Sequence, residues 1–239
     1  MLIQNSTFLI TGASDGIGKQ IALALAKLGA NLILLGRNQQ NLDSVKTEAQ
    51  QLGSANVEAY SVDISNPEAI KEFTAKLTET HKSLEGIINN AGIWQHKANL
   101  EEIPDDEILA VLNTNLTGMI FLTKKVMPLL KAATEACIIN ISSRSGYAAQ
   151  AGQSVYSASK YGVRGFTEVL REDLKDSSIH VAGIYQGGTN TKMFDKAGDV
   201  FGAEKLETFI PAAELANVVT FLISRPKGLW MPEVRVEKD

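Results

Sequence analysis

The sequence has little of the chemistry that builds disulfides, metal sites or membrane spans. Its single cysteine, Cys137, excludes a disulfide within the chain, and the apolar run Cys137-Ile138-Ile139 predicts a buried, inert thiol. The three histidines, His81, His96 and His180, lack the spacing of a metal-ligand group. No apolar run approaches the length that crosses a bilayer. We therefore expect neither a metal site nor a membrane partner.

The chain also lacks a large excess of charge of either sign. Its net charge is −4, so the sequence has no basic patch of the strength that binds nucleic acid or anionic membrane. Hydrophobic residues make up 44% and charged residues 21%, as in an ordinary globular protein. We expect a cytoplasmic protein that binds no nucleic acid.

Short apolar, β-branched runs alternate with longer stretches of helical period. The runs occupy residues 7–10, 32–35, 57–62, 86–89, 138–141 and 180–184. This alternation predicts βαβ units and a mainly parallel sheet covered by helices on both faces. No linker or repeat interrupts it, so we expect one domain over residues 1–239. Residues 187–210 lack a clear period, which predicts a mobile insertion that serves as a substrate loop or lid.

Two helix boundaries can be placed from local signals. Ile21, Leu25 and Leu28 form an apolar stripe that predicts the first helix, and Gly29 is well placed to end it. Asn66 followed by Pro67 has the form of a helix cap followed by proline in the first turn.

A glycine-rich turn follows the first predicted strand and reads Thr11-Gly12-Ala13-Ser14-Asp15-Gly16-Ile17-Gly18. Glycines permit close approach of the backbone, and the next helix offers unpaired N–H groups to a phosphate. The string alone is weak, but its place between the first strand and helix predicts dinucleotide binding. We assign cofactor contacts to Gly12, Ser14, Asp15, Gly16, Ile17 and Gly18.

The end of the second predicted strand indicates which nucleotide binds. A carboxylate at this point would hold a ribose 2′-hydroxyl, whereas an arginine can accept a 2′-phosphate. The sequence reads Gly36-Arg37 with no carboxylate, which favours NADP(H) and leaves NAD(H) as a second option. The alternative is that Arg37 is a solvated turn residue.

Tyr156, Lys160 and Ser143 could together move a proton onto or off a carbinol oxygen. The four-residue spacing of Tyr156 and Lys160 puts both on one face of a helix. A phenol ionises near pH ~10 in water, and a neighbouring cation is expected to lower that pKa. Ser143 could donate a hydrogen bond to the substrate oxygen. The alternative is an ordinary Tyr–Lys pair on a helix surface.

Several short motifs stand in a fixed order along the chain. They are Thr11-Gly12-xxx-Gly16-x-Gly18, Asp63-Ile64, Asn89-Asn90-Ala91-Gly92, Asn115-Leu116-x-Gly118, Ser143 and Tyr156-xxx-Lys160. With this ordered set the chain resembles the short-chain dehydrogenase/reductase family over nearly its whole length. The resemblance implies a Rossmann-like, doubly wound, mainly parallel seven-stranded sheet with helices on both faces. It also implies a homodimer or homotetramer.

The resemblance further implies individual roles. Tyr156 is the general acid or base, Lys160 lowers its pKa and grips the nicotinamide ribose, and Ser143 orients the carbonyl. Asn115 is implied to hold a water that links Lys160 to solvent. Further cofactor contacts are implied at Asp63, Ile64, Asn89, Ala91, Gly92, Gly187, Thr189 and Thr191. Two alternatives stay open: Asn115 could merely stabilise a helix bend, and Ser142 could face the site in place of Ser143.

The chain departs from the family pattern after the sixth strand, where Gln186 replaces a usual proline before Gly187. Two adjacent glycines without that proline predict a more flexible turn. Trp94 and Tyr147 follow motif segments and are candidates for the substrate pocket, although each could instead pack a loop. The acidic run at residues 105–107 is better explained as the first turn of a helix.

These observations favour an oxidoreductase that interconverts a ketone or aldehyde and its alcohol by hydride transfer, with NADP(H) as the preferred cofactor. A 3-oxoacyl-type or hydroxy-acid substrate is a family-level hypothesis. The alternative is a non-catalytic NADP(H)-binding sensor or scaffold on the same fold. A methyltransferase with a similar glycine turn would not explain Tyr156, Lys160 and Ser143 together.

Overall fold

The structure, a computed structural model, describes residues 2–226 and 228–239 and contains one seven-stranded parallel sheet. In chain order its strands are β1 (Thr7–Thr11), β2 (Asn31–Gly36), β3 (Val57–Ser61), β4 (Gly86–Asn89), β5 (Ala136–Ser143), β6 (Ile179–Gln186) and β9 (Glu233–Val236). The short strands β7 (Thr189–Asn190) and β8 (Ile210–Pro211) pair with each other. Each predicted apolar run coincides with a strand whose ends differ by at most two residues. The predicted sheet is confirmed.

Eight α-helices occur within the described residues. They are α1 (Gly16–Lys27), α2 (Gln39–Gln51), α3 (Pro67–Thr80), α4 (Asp105–Leu112), α5 (Gly118–Ala132), α6 (Ser154–Asp173), α7 (Ala203–Glu207) and α8 (Ala212–Ile223). Helices α1, α2 and α8 bury apolar residues against one face of the sheet, and α3 and α5 do so against the other. This confirms the Rossmann-like doubly wound fold. Within the described ranges no helix combines the length and apolarity needed to cross a membrane.

The order of the strands creates a crevice at one edge of the sheet. The spatial order is β3-β2-β1-β4-β5-β6-β9, so the chain winds outward in one direction from β1 and in the other from β4. The loops after β1 and β4 therefore separate at the carboxyl end of the sheet, which is where open α/β sheets bind ligands.

The predicted helix boundaries are correct in most details. The Asn66 side chain accepts hydrogen bonds from the N–H groups of Glu68 (3.0 Å) and Ala69 (3.3 Å), which caps α3. Gly29 has φ +76° just after α1, as a helix stop requires. Leu28 was wrongly placed in the buried stripe: it follows the last turn of α1, and 45% of it is exposed.

Residues 187–210, hereafter the 187–210 segment, are more regular than the sequence indicates. They contain β7, a short 3₁₀ turn at Asp195–Ala197, helix α7 and the first residue of β8. The Gln186 turn is held by the hydrogen bond from the Gly187 N–H to the Val236 carbonyl (2.9 Å). A Cβ at Gly188 would lie 2.8 Å from the Phe209 ring, so Phe209 requires glycine there.

A π-helical turn, Asn113–Thr117, joins α4 to α5 and turns Asn115 inward. The next residue, Gly118, packs against the loop after β3: a Cβ built on it would lie 2.0 Å from the Ile64 carbonyl oxygen. Real Cβ atoms do not approach a backbone oxygen so closely, so the two segments can meet only at a glycine.

We expect Gly118→Ala to lower the free energy of unfolding by ~1–3 kcal/mol, because α5 must move away from the loop at Ile64. Gly165→Ala in α6 is the matched control. No atom lies within 4 Å of its added Cβ, so the loss of backbone freedom in the unfolded chain should stabilise that variant by ~0.4–1 kcal/mol. Urea unfolding monitored by circular dichroism measures both. Equal effects of the two substitutions would contradict the packing argument.

Candidate active site

A cavity of about 740 Å³ opens at the carboxyl ends of the central strands. The glycine turn after β1 and the loop after β4 form one end of it, and Ser143, Tyr156 and Lys160 lie in the same cavity. The 187–210 segment closes one side. The two sets of residues that the sequence predicts, one for a nucleotide and one for a proton, therefore share one site.

The glycine turn has the shape of a phosphate cradle. Gly12 and Gly16 have φ angles of +65° and +52°. A Cβ on Gly12 would lie 2.9 Å from the Ala91 Cα atom. The Asp15 side chain makes no capping bond to α1, so the first N–H groups of that helix can meet a phosphate. These features fit a dinucleotide.

Most predicted cofactor residues line the cavity. They are Gly12, Ser14, Asp15, Gly16, Ile17, Arg37, Asp63, Ile64, Ala91, Gly92, Tyr156, Lys160, Gly187, Thr189 and Thr191. Gly18 is absent from the wall. It is buried, and a Cβ there would lie 2.2 Å from the Gly12 carbonyl oxygen, so this glycine allows α1 to pack on its own turn.

Asn89 also does not reach the cavity wall. Its side-chain amide donates to the Asn140 Oδ1 (2.8 Å) and the Thr123 hydroxyl (3.0 Å) beneath the ends of the strands. Because β4 side chains alternate between the two faces of the sheet, the side chain at this position points into the helix layer. The next residue, Asn90, instead ties the loop to β1 through its N–H and the Thr11 hydroxyl (3.0 Å).

Arg37 lies at the far end of the cavity from Tyr156, just beyond β2. Its side chain is exposed and forms no ion pair with any described residue. Asp63 lines the same end, but its carboxylate accepts hydrogen bonds from the Ser65 N–H (2.9 Å) and hydroxyl (2.7 Å). The guanidinium is therefore available to an anion.

The proton-handling residues are brought together by the packing of α6 on β5. The Lys160 ammonium donates to the Ile141 carbonyl at 3.3 Å, and the Ser142 hydroxyl donates to the Lys160 carbonyl at 3.3 Å. Ser142 is fully buried by this contact, whereas Ser143 lines the cavity. The structure therefore favours Ser143 over Ser142 at the site.

Burial controls the pKa values of this pair. It raises the pKa of Tyr156 to about 12, and the hydrogen bond with Ser143 lowers it in part. Burial also lowers the pKa of Lys160 to about 8. The Lys160 ammonium lies 5.8 Å from the Tyr156 ring centre. The pKa of Tyr156 is therefore raised on balance, because desolvation of the phenol outweighs the Ser143 hydrogen bond, and the lowering expected from Lys160 stays a prediction.

Asn115 holds the loop after β4 instead of lining the cavity. Its amide accepts from the Ile93 N–H (2.7 Å) and donates to the Ile93 carbonyl (2.9 Å) and the Ser159 hydroxyl (3.2 Å). These contacts and its place in the π-helical turn fit the alternative of a helix-bend residue. Its Oδ1 atom and the Lys160 ammonium both approach Gly92, so a role near the lysine remains a proposal.

The two substrate candidates have different positions. Trp94 lines the cavity, and its ring packs on that of Tyr156 with centres 4.6 Å apart. Tyr147 does not line the cavity. Its hydroxyl donates to the Glu237 carboxylate and its ring lies under the Arg235 guanidinium at 4.3 Å. The choice of Tyr147 was therefore wrong, because the chain after Ser143 turns toward β9.

Sequence reasoning missed two contributions to the site. Gln95 is fully buried, and its Oε1 atom accepts from the N–H groups of Val155 (3.1 Å) and Tyr156 (2.9 Å), which caps α6 at Tyr156. Phe194, Phe201 and Phe209 line the cavity from the 187–210 segment. A buried glutamine has no local sequence signal, whereas three phenylalanines in a polar segment could have been noticed. Among the described residues, no group of His, Cys, Asp or Glu could hold a metal ion.

Comparison with known proteins decides the family. A family model described as short chain dehydrogenase matches residues 6–200. The chain belongs to the short-chain dehydrogenase family. This membership makes it an enzyme, an oxidoreductase that uses a nicotinamide cofactor, and does not favour the non-catalytic alternative.

Individual short-chain dehydrogenases support this result. The chain is 32% identical to a 3-oxoacyl-(acyl-carrier-protein) reductase of Thermotoga maritima over 229 residues, which cover 94% of this chain and 92% of that protein. It is 31% identical to a 3beta-hydroxysteroid dehydrogenase of Mediterraneibacter gnavus, covering 79% and 68%. An alcohol dehydrogenase from Thermococcus sibiricus, complexed with 5-hydroxy-NADP, superposes with a TM-score of 0.89 at 25% identity, covering 98% and 97%. A Sphingobium yanoikuyae short-chain dehydrogenase in complex with NADPH gives 0.85 at 27%, covering 97% and 87%.

The buried lysine yields a test of stability against pH. The pKa of Lys160 falls from 10.5 in the unfolded chain to about 8 in the folded protein. The unfolded chain therefore binds more protons between these two pH values. The destabilisation by Lys160 is at its full value below pH 8 and is lost as the pH rises to 10.5. We expect Lys160→Met to raise the free energy of unfolding at pH 7 by ~3 kcal/mol more than at pH 10.5. Urea titrations at both pH values, with exposed Lys175→Met as control, measure the difference. A pH-independent effect of Lys160→Met would contradict the lowered pKa.

Proposed function

We propose that the protein is an NADPH-preferring carbonyl reductase in which Tyr156 is the general acid and base. The observation that carries the proposal is the shared cavity, with a phosphate cradle and an arginine at one end and Ser143, Tyr156 and Lys160 at the other. Hydride and proton are needed on adjacent atoms of one carbonyl group, so both supplies must meet in one site.

A nicotinamide cofactor held in this cavity would supply the hydride for the carbonyl carbon. The residues of the chain handle the oxygen. Ser143 donates a hydrogen bond to the carbonyl oxygen as negative charge develops there, and Tyr156 transfers its phenolic proton to that oxygen to complete the alcohol. In alcohol oxidation the phenolate form of Tyr156 takes the proton from the alcohol oxygen. A phenol with its pKa raised to about 12 is protonated at neutral pH, which suits the reductive direction.

The other residues of the site hold its parts in place. Lys160 is proposed to bind the nicotinamide ribose hydroxyls and to return a proton toward Tyr156. Asn115 is proposed to act near this lysine by holding the loop at Ile93, with a water as the link to solvent. Gly187, Thr189 and Thr191 are proposed contacts of the nicotinamide end, and Asp63 and Ile64 of the adenine end.

The preference for NADPH is supported by Arg37. A guanidinium that pairs with no described carboxylate can form charge-assisted bonds to a 2′-phosphate. Several structurally similar proteins carry NADP or NADPH in their names, which agrees with this choice. NAD(H) is proposed as the weaker cofactor.

We also propose a substrate class, a cellular location and an oligomeric state. A 3-oxoacyl-type or hydroxy-acid substrate is supported by the similar 3-oxoacyl reductase. A cytoplasmic location agrees with one unpaired, buried cysteine. Action of the whole chain as one domain is supported by β1 and β9 lying in one sheet. A homodimer or homotetramer is supported by exposed apolar side chains on α4, α5 and α6, namely Leu109, Phe121 and Val169.

Tyr156→Phe tests the proposed acid. We expect it to lower kcat/KM for carbonyl reduction by ~10²–10⁴-fold, because the ring is kept and only the transferable proton is removed. Binding of NADPH, measured by fluorescence titration, should stay within about twofold. Tyr161→Phe is the control, since Tyr161 lies on α6 with 44% exposure outside the cavity. Near-normal turnover by Tyr156→Phe would contradict the proposal that Tyr156 donates the proton.

Arg37→Asp tests the cofactor preference. Loss of charge-assisted bonds to a 2′-phosphate should lower the ratio of kcat/KM with NADPH to that with NADH by ~10–100-fold. Lys175→Asp is the control, because it changes the net charge by the same amount at an exposed position just after α6. It should leave the ratio of kcat/KM with the two cofactors unchanged. Steady-state rates with both cofactors give the answer. An unaltered ratio in Arg37→Asp would reject the assignment.

A further inference from the structure

The 187–210 segment is joined to the body of the protein by one well-shielded carboxylate. Asp199 accepts a hydrogen bond from the Trp94 indole N–H at 2.6 Å through one oxygen. Its other oxygen lies 2.9 Å from the His96 Nδ1 atom. Only 13% of the Asp199 side chain is exposed. Both partners belong to the loop after β4, so a single side chain joins two cavity walls that are distant in sequence.

The other side-chain polar links between the segment and the body are more exposed. Lys196 pairs with Asp15, but 60% and 43% of these two side chains are in solvent. Lys238 donates to the Glu207 carbonyl with an exposed side chain. Exposed ion pairs contribute little because water and salt screen them, whereas bonds to a desolvated carboxylate are stronger. Among these side-chain polar links, Asp199 is therefore the one on which the position of the segment most depends.

The same contact determines where the Trp94 ring lies. That ring packs on Tyr156 with centres 4.6 Å apart and on Phe194 at 4.9 Å. Phe201 and Phe209 extend the cluster, at 5.2 and 5.4 Å from Phe194. Four aromatic rings thus form an apolar wall beside the phenol that would protonate the substrate. The indole N–H is the only polar atom on the Trp94 ring, and Asp199 satisfies it.

We infer that Asp199 is a positioning residue: it holds the 187–210 segment closed and fixes Trp94 as the wall against which a flat, apolar part of the carbonyl substrate lies. The substrate part of this inference rests on the proposed carbonyl reduction. Aromatic rings pack well on flat apolar groups and give a charged group no partner. Of the two groups attached to the reacting carbonyl, the one that lies against this wall is therefore uncharged and apolar next to that carbon.

Trp94 fluorescence tests the closed contact without any turnover. The chain has two tryptophans, so Trp230→Phe leaves Trp94 as the sole reporter. In that background we expect Asp199→Ala to increase the acrylamide quenching constant of Trp94 at least twofold. Asp199→Asn should retain most of the protection, because its amide can accept from the indole and donate to a neutral His96. Asp195→Ala is the matched control: it lies in the same segment with an exposed side chain outside the cavity wall.

Kinetics with two ketones test the substrate wall. We use acetophenone as the flat apolar probe and butan-2-one as the small one, both with NADPH. Asp199→Ala should lower kcat/KM for acetophenone by ~10-fold or more, mainly through KM, and affect butan-2-one less than threefold. Trp94→Ala should show the same selectivity, and Asp199→Asn should recover most of the activity with acetophenone.

The outcomes separate the two proposals. If Asp199→Ala matches Asp195→Ala in quenching, the positioning role is overturned whatever the kinetics show. If quenching rises but both ketones lose rate equally, the apolar wall is overturned. If the unsubstituted enzyme reduces neither ketone nor a 3-oxoacyl thioester, the proposed function fails, while the quenching result still decides the role of Asp199.

Discussion

The site depends on one costly arrangement, a lysine ammonium that is almost completely removed from water beside the end of β5. Burial lowers the pKa of Lys160 to about 8, so at neutral pH the fold carries a charge in a place that disfavours charge. The Ile141 carbonyl offers a partner at 3.3 Å. The large apolar layers on both faces of the sheet offset this unfavourable free energy, and they hold α6 where the ammonium must lie. The stable core therefore tolerates the burial of this charge.

The surrounding polar contacts keep this arrangement in register. Gln95 caps α6 at Tyr156, and Asn115 holds the loop that carries Gln95 through both backbone groups of Ile93. Asp199 then joins the same loop to the 187–210 segment through Trp94. The loop after β4 thus contacts α6, the π-helical turn and the 187–210 segment. A change in any of these three elements would alter the position of the Tyr156 phenol.

The sequence was informative where the signal is local. Apolar runs predicted the strands, the glycine turn predicted the cradle, and the spacing of Tyr156 and Lys160 placed both on one helix face. Errors and missed contacts arose where the outcome depends on residues that are distant in sequence. Tyr147 turns toward Glu237, which is 90 residues away in sequence, and Trp94 is held by Asp199 over 105 residues. No local pattern encodes such pairs, because they exist only after the chain has folded. The raised pKa of Tyr156 has no local sequence signal for the same reason, because burial is a property of the packed state.

The order of strands also determines how the molecule must be assembled. The first three strands are contiguous in the sheet, so they can pair as soon as they leave the ribosome, but the inner edge of β1 stays open until β4 arrives. β4 in turn presents an unpaired edge until residue 136 begins β5. Such edges template wrong pairing between chains. A nascent chain that has formed β1 to β4 but not yet β5 therefore exposes such an edge, and we expect a chain that lacks its carboxyl-terminal half to aggregate.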